Sequence, residues 1–309
     1  MLDKKRTTFF GKVNKNRVFL LMLLPAVLYI LIFSYYPMTG IVLAFKKYNY
    51  QDGIFGSPWN GFENFRFFFQ SGQAARVTRN TVLYNVAFIA INLIIELTLA
   101  VSMTEIKRKR FVTVSQTMLF LPYFISWVIV GVMSFNFFSG DYGFVNRIIE
   151  TMGGDKFPFY STAEAWPPII IFFNMWKNVG YGSIIYMAAI TGIDTSIYEA
   201  AEIDGANVFQ RIFSITIPSI KPTIIIMLLL SIGGIFRGNF DLFYNLIGNN
   251  GLLFSHTDVI DTLTFRSLIS SSNHGMSAAI GLFQSVLGLI TMLTANKLVS
   301  RYQDGLALF

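Results

Sequence analysis

Apolar residues run along this chain in six long blocks instead of alternating with polar ones. The blocks cover about Val18 to Phe45, Thr78 to Thr104, Phe111 to Phe138, Pro167 to Thr191, Pro222 to Ile247 and Ser277 to Leu298. A helix of roughly 20 apolar residues crosses a hydrocarbon core of about 30 Å, so each block predicts one span. The first block is longer than a signal-peptide core and lacks a small-residue cleavage site, which predicts a retained helix. The pattern gives an all-α integral membrane protein with six transmembrane helices. Pro25 and Pro37 loosen the first span, Pro122 and Gly131 lie inside the third, and Pro167-Pro168 open the fourth at the first-turn position proline favours. Gly233, Gly234 and the polar run Arg237 to Asp241 interrupt the fifth.

The segments between the blocks read as loops at 46–77, 140–166 and 248–276, with Gly and Pro as turn punctuation. Within the first of them, Gly61 to Phe69 (GFENFRFFF) predicts a short amphipathic helix, lying on the membrane surface or packed over the bundle. The connection between the fourth and fifth blocks differs from these. It is polar and helix-prone, and it reads Glu199 to Pro218, EAAEIDGANVFQRIFSITIP. Ser196-x-x-Glu199 has the spacing of a capping box, which predicts a helix starting near Ile197. Ala200 and Ala201 give that helix a narrow face suited to a groove in a partner. Gly205 breaks it, a second helix follows over about Ala206 to Ser214, Pro218 stops that one, and Pro222 starts the fifth span. The product is a bent lever joined to two spans.

Composition and charge agree with the pattern and orient it. The chain has 309 residues, of which 53% are hydrophobic and 13% charged, where a soluble domain carries roughly 25% charged residues. The net charge of +7 is local. Lys4, Lys5, Arg6, Lys12, Lys15 and Arg17 precede the first span, Lys107 to Arg110 separate the second from the third, and Lys297 and Arg301 end the sixth. With six spans these clusters share one side, which the positive-inside rule makes the cytoplasm, so both termini and the 199–218 loop are cytoplasmic. Lys46, Lys47, Arg66 and Arg76 in the first outer loop depart from the rule. Basic clusters hugging span ends are topology signals, so no nucleic acid is expected as a partner. The absence of cysteine excludes thiolate sites, the two histidines are far apart, and no phosphate-loop motif is present. No metal, cofactor or catalytic residue is expected in this chain.

Glu199, Ala200, Ala201, Gly205, Ile215 and Pro218 stand at the spacing E-A-A-x3-G-x9-I-x-[L]-P, with Ile217 where leucine is usual. This resembles the cytoplasmic coupling loop of permease subunits in binding-protein-dependent ABC importers. The wider stretch from Asn174 to Thr223 is similar to carbohydrate importer permeases, in the branch that includes alginate and other oligosaccharide or polysaccharide-fragment importers, and more distantly the maltose importer. The likeness runs from about residue 75 to the end and includes the additional first span. It implies a type I importer fold in the bacterial cytoplasmic membrane. The expected organisation is a tail at 1–17, the first span and external segment at 18–77, a five-span core at 78–301 holding the coupling loop 196–218, and a tail at 302–309. The resemblance also implies four kinds of partner: a second, different permease, two ATPase subunits carrying ATP and Mg, an extracytoplasmic carbohydrate-binding protein, and membrane lipid. It assigns ATPase docking to Glu199, Ala200, Ala201, Asp204, Gly205, Ile215 and Pro218.

An oligosaccharide requires hydrogen bonds for its hydroxyls and aromatic faces for its rings, and polar groups inside spans are the candidates to supply them. Asn174, Lys177, Asn178 and Tyr181 fall on one helical stripe; Arg237, Asp241, Tyr244 and Asn245 form a second, and Gln284 lies in the sixth span. An alternative for Arg237 and Asp241 is a mutual i, i+4 pair that holds the bundle. Glu96 lies within the second span and must face protein or a wet cavity. Taken as a relay it would favour an ion- or proton-coupled secondary transporter, but no second intramembrane carboxylate lines up with it. His256, Asp258 and Asp261 are the nearest thing to an enzyme's cluster, in a loop read as external.

Overall fold

The computed structural model describes residues 16–302, so nearly all of the two tails, including Lys4, Lys5, Arg6, Lys12 and Lys15, lies outside the described residues. The described chain is helical, with only a lone bridge between Lys46 and Trp59 outside helices and turns. The first helix, α1 (Arg17–Phe45), bears its apolar side chains outward along nearly its whole length. A short helix, α2 (Glu63–Gln70), follows the loop and buries Phe68 completely while Phe62, Phe67 and Phe69 stay exposed. It therefore packs over the bundle with one edge and offers aromatic rings outward with the other.

The long helix α3 (Gln73–Glu105) forms the most extensive pairing in the fold with the helix Trp166–Thr191. Between them the third block breaks into α4 (Lys109–Phe124) and α5 (Trp127–Phe138), bent by 94°. The block expected as the third span, Phe111 to Phe138 with Pro122 and Gly131 inside it, is thus two helices meeting at a corner. Pro122 is the local cause, since it has no N–H to donate and the Leu121–Phe124 turn tightens to a 3-10 helix. Ser126 then restarts the helix by accepting the Ile129 N–H on its side chain. The regions read as loops at 140–166 and 248–276 are also corrected, because they hold helices α6 (Phe144–Thr151) and, further on, Ile260–Ile269.

After α7 (Trp166–Thr191) come the paired helices of the connecting segment, α8 (Thr195–Ile203) and α9 (Val208–Ser219), and then α10 (Lys221–Gly233), bent 59° from α9. The fifth block is not one helix: it unwinds over 234–239, and α11 (Phe240–Ile247) restarts where Asn239 accepts the Leu242 N–H. Helix α12 (Ile260–Ile269) leads to α13 (His274–Tyr302). By length and composition, α1, α3 and α13 each suffice to cross a membrane, and the two bent pairs raise the number to five. At 26 residues α7 is long enough, but Asn174, Lys177 and Asn178 dilute its apolar character.

Lipid is as apolar as leucine, so packing rather than water exclusion joins helices here. Around Trp166, Ile170, Phe173, Phe243 and Leu253, one core ties α7 to α11 and the helical connection after it. Near the other end of α3, Ala100, Val101 and Met103 pack on Tyr186, Ile190 and Ile220. Helices α4 and α7 approach so closely at Gly180 that any β-carbon there would collide with the backbone of Leu119 and Phe120.

Candidate functional site

The connecting segment folds as a capped helix–turn–helix. Asp194, not Ser196, is the N-cap of α8: its side chain accepts the Ser196 backbone N–H at 2.9 Å, and the helix begins at Thr195. That corrects the expected capping box and frees Glu199, which is exposed and has no partner among the described residues. The Ser196 backbone N–H, with a smaller contribution from its hydroxyl, holds the Asp194 carboxyl below the usual carboxylate range. A depressed carboxylate contributes its stability in full above its unfolded value and loses it as pH falls through the lowered one, so the cap is complete at neutral pH.

Helix α8 ends in a Schellman motif. The Ala206 N–H reaches the Ala201 carbonyl at 2.9 Å, the Gly205 N–H reaches that of Glu202 at 3.1 Å, and Gly205 sits at φ +80°. Asn207 and Gln210 then close a reciprocal capping box that launches α9. A π-helical turn, Ile212–Thr216, lies just before Pro218, so the helix continues past the proline to Ser219 instead of stopping at Ser214. Three contacts pin this hairpin. Tyr198 Oη lies 2.9 Å from Thr216 Oγ1, and the Arg211 guanidinium lies 3.5 Å from Glu105 at the end of α3 and 3.7 Å from Glu202. The outer surface of the hairpin carries Glu199, Ala200, Asp204, Ile203, Phe209 and Phe213, all exposed. Ile215 is half-buried against the bundle and Pro218 is exposed.

Deeper in the bundle, α3, α7 and the broken fifth block enclose a cavity of about 340 Å³. Its polar lining is amide-rich: Asn85, Asn92, Asn174, Asn178 and Asn239, with Ser231, Tyr181, Tyr186 and one carboxylate, Glu96. Gly182 makes room for Glu96, whose carboxyl occupies the place of an absent β-carbon. The expected stripe on α7 thus divides. Asn174, Asn178 and Tyr181 line the cavity, while Lys177 turns away, buried, and donates to the carbonyls of Pro122, Tyr123 and Ile125 at the corner of the broken third block.

The second stripe does not form. Arg237 lies in the unwound stretch before α11, so no i, i+4 relation holds it to Asp241, and no ion pair joins them among the described residues. Asp241 and Tyr244 are exposed and Asn245 is half-buried, its amide donating to the Asp241 carbonyl at 2.7 Å. Gln284 binds the Phe236 carbonyl and the Asp261 carboxylate, both at 2.8 Å, and braces the unwound stretch. Asp258 is not part of a catalytic cluster: it is buried in a bidentate pair with Arg266, with Arg76 at 3.5 Å. Asn85 and Asn92 were not among the expected pathway residues. Their spacing to Glu96, i, i+7 and i+11, places all three on one face of α3 and was the available signal.

A membrane bundle with an internal polar cavity and a capped helical hairpin between two spans defines a transport subunit. Residues 93–304 match the family described as binding-protein-dependent transport system inner membrane component, and the chain belongs to that family. It is 35% identical to protein LplB of Bacillus subtilis, over 98% of this chain and 95% of that one. It is 33% identical to the B. subtilis polygalacturonan/rhamnogalacturonan transport system permease protein YteP, over 97% and 93%. A solved bacterial ABC transporter that imports the acidic polysaccharide alginate contains a chain superposing with TM-score 0.87 at 32% identity, over 96% of this chain and 99% of that one. The fold is that of a type I ABC importer permease.

Proposed function

We propose that this chain is one of two permease subunits enclosing the pathway of an ATP-driven oligosaccharide importer in the bacterial cytoplasmic membrane. Carbohydrate as cargo follows from the similarity to YteP and to the alginate importer, which has also been solved in complex with an alginate pentasaccharide-bound periplasmic protein. By the same likeness an extracytoplasmic binding protein delivers the sugar, a different permease supplies the other half of the path, and two ATPase subunits bind ATP and Mg and hydrolyse it. The chain crosses the membrane six times: α1, α3 and α13, the two bent pairs, and α7. Both termini are cytoplasmic. The Arg211–Glu105 contact supports that orientation, because it brings the basic block at 107–110 to the same end of the bundle as the hairpin.

The observation that carries this reading is the hairpin's outer surface. A free carboxylate, the exposed Ala200 beside a half-buried Ala201, and bare Ile203, Phe209 and Phe213 are mounted on an element pinned to α3 and leading into α10. Such a surface matches an apolar groove edged by a basic residue on an ATPase. When the ATPases close, the hairpin moves as a unit and tilts α7 and α10, which wall the cavity. A secondary transporter is the competing reading, favoured only by Glu96 in that cavity. Uptake of labelled oligosaccharide into cells carrying the whole importer separates the two. ATP depletion is expected to stop uptake and a protonophore at constant ATP to leave it within about twofold; the reverse pattern assigns the chain to ion-coupled transport.

A further inference from the structure

At the end of the bundle away from the hairpin, α3, α7 and the short helical turn Phe254–Thr257 frame a groove of about 320 Å³. Its walls are apolar, built from Leu83, Pro167, Ile171 and the ring of Tyr84, and Arg79 and His256 complete it. Helices α3 and α7 both start at this end, so Arg79 stands one turn nearer the outer loops than Leu83, and Pro167 one turn nearer than Ile171. The groove therefore runs from charged at its outer end to apolar toward the middle of the spans. It is open to the surroundings of the bundle. Leu83 is 60% exposed and heads an exposed apolar row, Val86, Ala90 and Ile94, on one face of α3.

The charge on Arg79 is unanswered. Its guanidinium donates to the Asn80 side-chain oxygen at 3.1 Å and to the Ser255 carbonyl at 3.3 Å, both neutral, and no ion pair holds it among the described residues. The buried acid of this region, Asp258, is taken by Arg266 and Arg76. His256 uses Nδ1 on the Ser255 hydroxyl at 3.0 Å, and its Nε2 has no partner among the described residues. Tyr84, on the groove wall, has a buried hydroxyl without a hydrogen-bond partner, which is costly in a medium that lacks water.

We propose that this groove binds one anionic glycerophospholipid of the outer leaflet. The phosphate lies against Arg79 and His256, with the guanidinium as its charge partner. An ester carbonyl, which a glycerolipid carries just below its phosphate, accepts from Tyr84. The upper carbons of one acyl chain fill the space between Leu83, Pro167 and Ile171. The bound lipid ties the outer ends of α3 and α7 to the Phe254–Thr257 turn. Only the choice of leaflet rests on the orientation proposed above; the site stands on the groove itself.

The test places p-benzoylphenylalanine at position 83 of the tagged chain and reconstitutes the purified complex in vesicles of equimolar phosphatidylglycerol and phosphatidylethanolamine. Adducts formed on irradiation are identified by mass spectrometry. The expected result is a lipid adduct in which phosphatidylglycerol exceeds phosphatidylethanolamine about fivefold, the worth of one basic residue at an anionic membrane surface. Arg79→Gln is expected to bring the two lipids within about twofold of each other, and Arg79→Lys, which retains the charge, to preserve the excess. Equal adducts in wild type overturn the proposal and leave ordinary boundary lipid. An adduct to the second permease also overturns it and makes the groove a subunit interface. An undiminished excess in Arg79→Gln overturns it as well, since the charge would then select nothing. The wild-type ratio decides by itself if a variant does not assemble. Because the adduct is read on this chain whether or not the complex hydrolyses ATP, the importer reading stands or falls separately.

Discussion

Valine at position 205 uncouples the importer. Gly205 holds φ +80° with nothing within 4 Å of where a β-carbon would stand, so the penalty is one of backbone conformation alone. Left-handed backbone costs an ordinary L-residue about 1–2 kcal/mol, and a β-branched one more. The chain escapes that strain by surrendering the two Schellman bonds, which lets α8 and α9 swing relative to each other. A shift of that size changes the population of the docking-competent hairpin roughly fivefold or more. Substrate-stimulated ATPase activity of the purified Gly205→Val complex is expected to fall by at least that factor, with the permease pair still assembled. Gly205→Asn, which tolerates the left-handed region, is expected to retain most of the activity. Equal loss in both variants would mean that the hairpin requires the absence of a side chain and not the turn.

Lys177→Met produces the other large effect, and it falls on stability. The Lys177 ammonium reaches three carbonyls at the 94° corner between α4 and α5, and two rings, Tyr123 and Trp127, flank it within 6 Å of their centres. Inside a membrane no water replaces such a donor. Leaving these carbonyls unpaired costs about 3 kcal/mol or more. For a chain of this size that lowers the melting temperature of the detergent-solubilised protein by roughly 5 °C. Lys177→Arg is expected to rescue poorly, because a planar fork does not converge on three oxygens as an ammonium does. Asn178→Ala, the next residue along, is expected to melt like wild type and to lose uptake. Unchanged melting in Lys177→Met would return Lys177 to the pathway.

That contrast marks where the sequence was legible. Apolar blocks long enough to cross lipid are nearly a sufficient description of α1, α3 and α13, because length and composition alone determine them. Gly205 and Pro222 punctuate the chain where they were expected to, since φ and the missing N–H are local properties. Asp194 was missed as the cap because Ser196 and Glu199 offered an equally good local spacing, and only the start of the helix decides between them. Lys177 shares a stripe with Asn174 and Asn178 by number, but a long side chain can follow the turn of its helix away from them, and its partners lie more than 50 residues earlier. Arg237 and Asp241 were paired on the assumption of an unbroken helix, which the unwinding at 234–239 removes. The helices within the two outer segments were hidden because short, mixed-polarity helices lack a long period to read.

The central claim is that the Glu199–Pro218 hairpin is where an ATPase engages this subunit. It is tested by pulling down the tagged chain from detergent-solubilised membranes, as wild type and as Glu199→Arg with Gly205→Pro, and assaying ATP hydrolysis in each eluate. The account predicts that wild type brings down a second permease and an ATPase with activity, and that the variant keeps the permease and loses the ATPase. A wild type that elutes folded, alone and without hydrolysis, or a variant that retains a fully active ATPase, would contradict it.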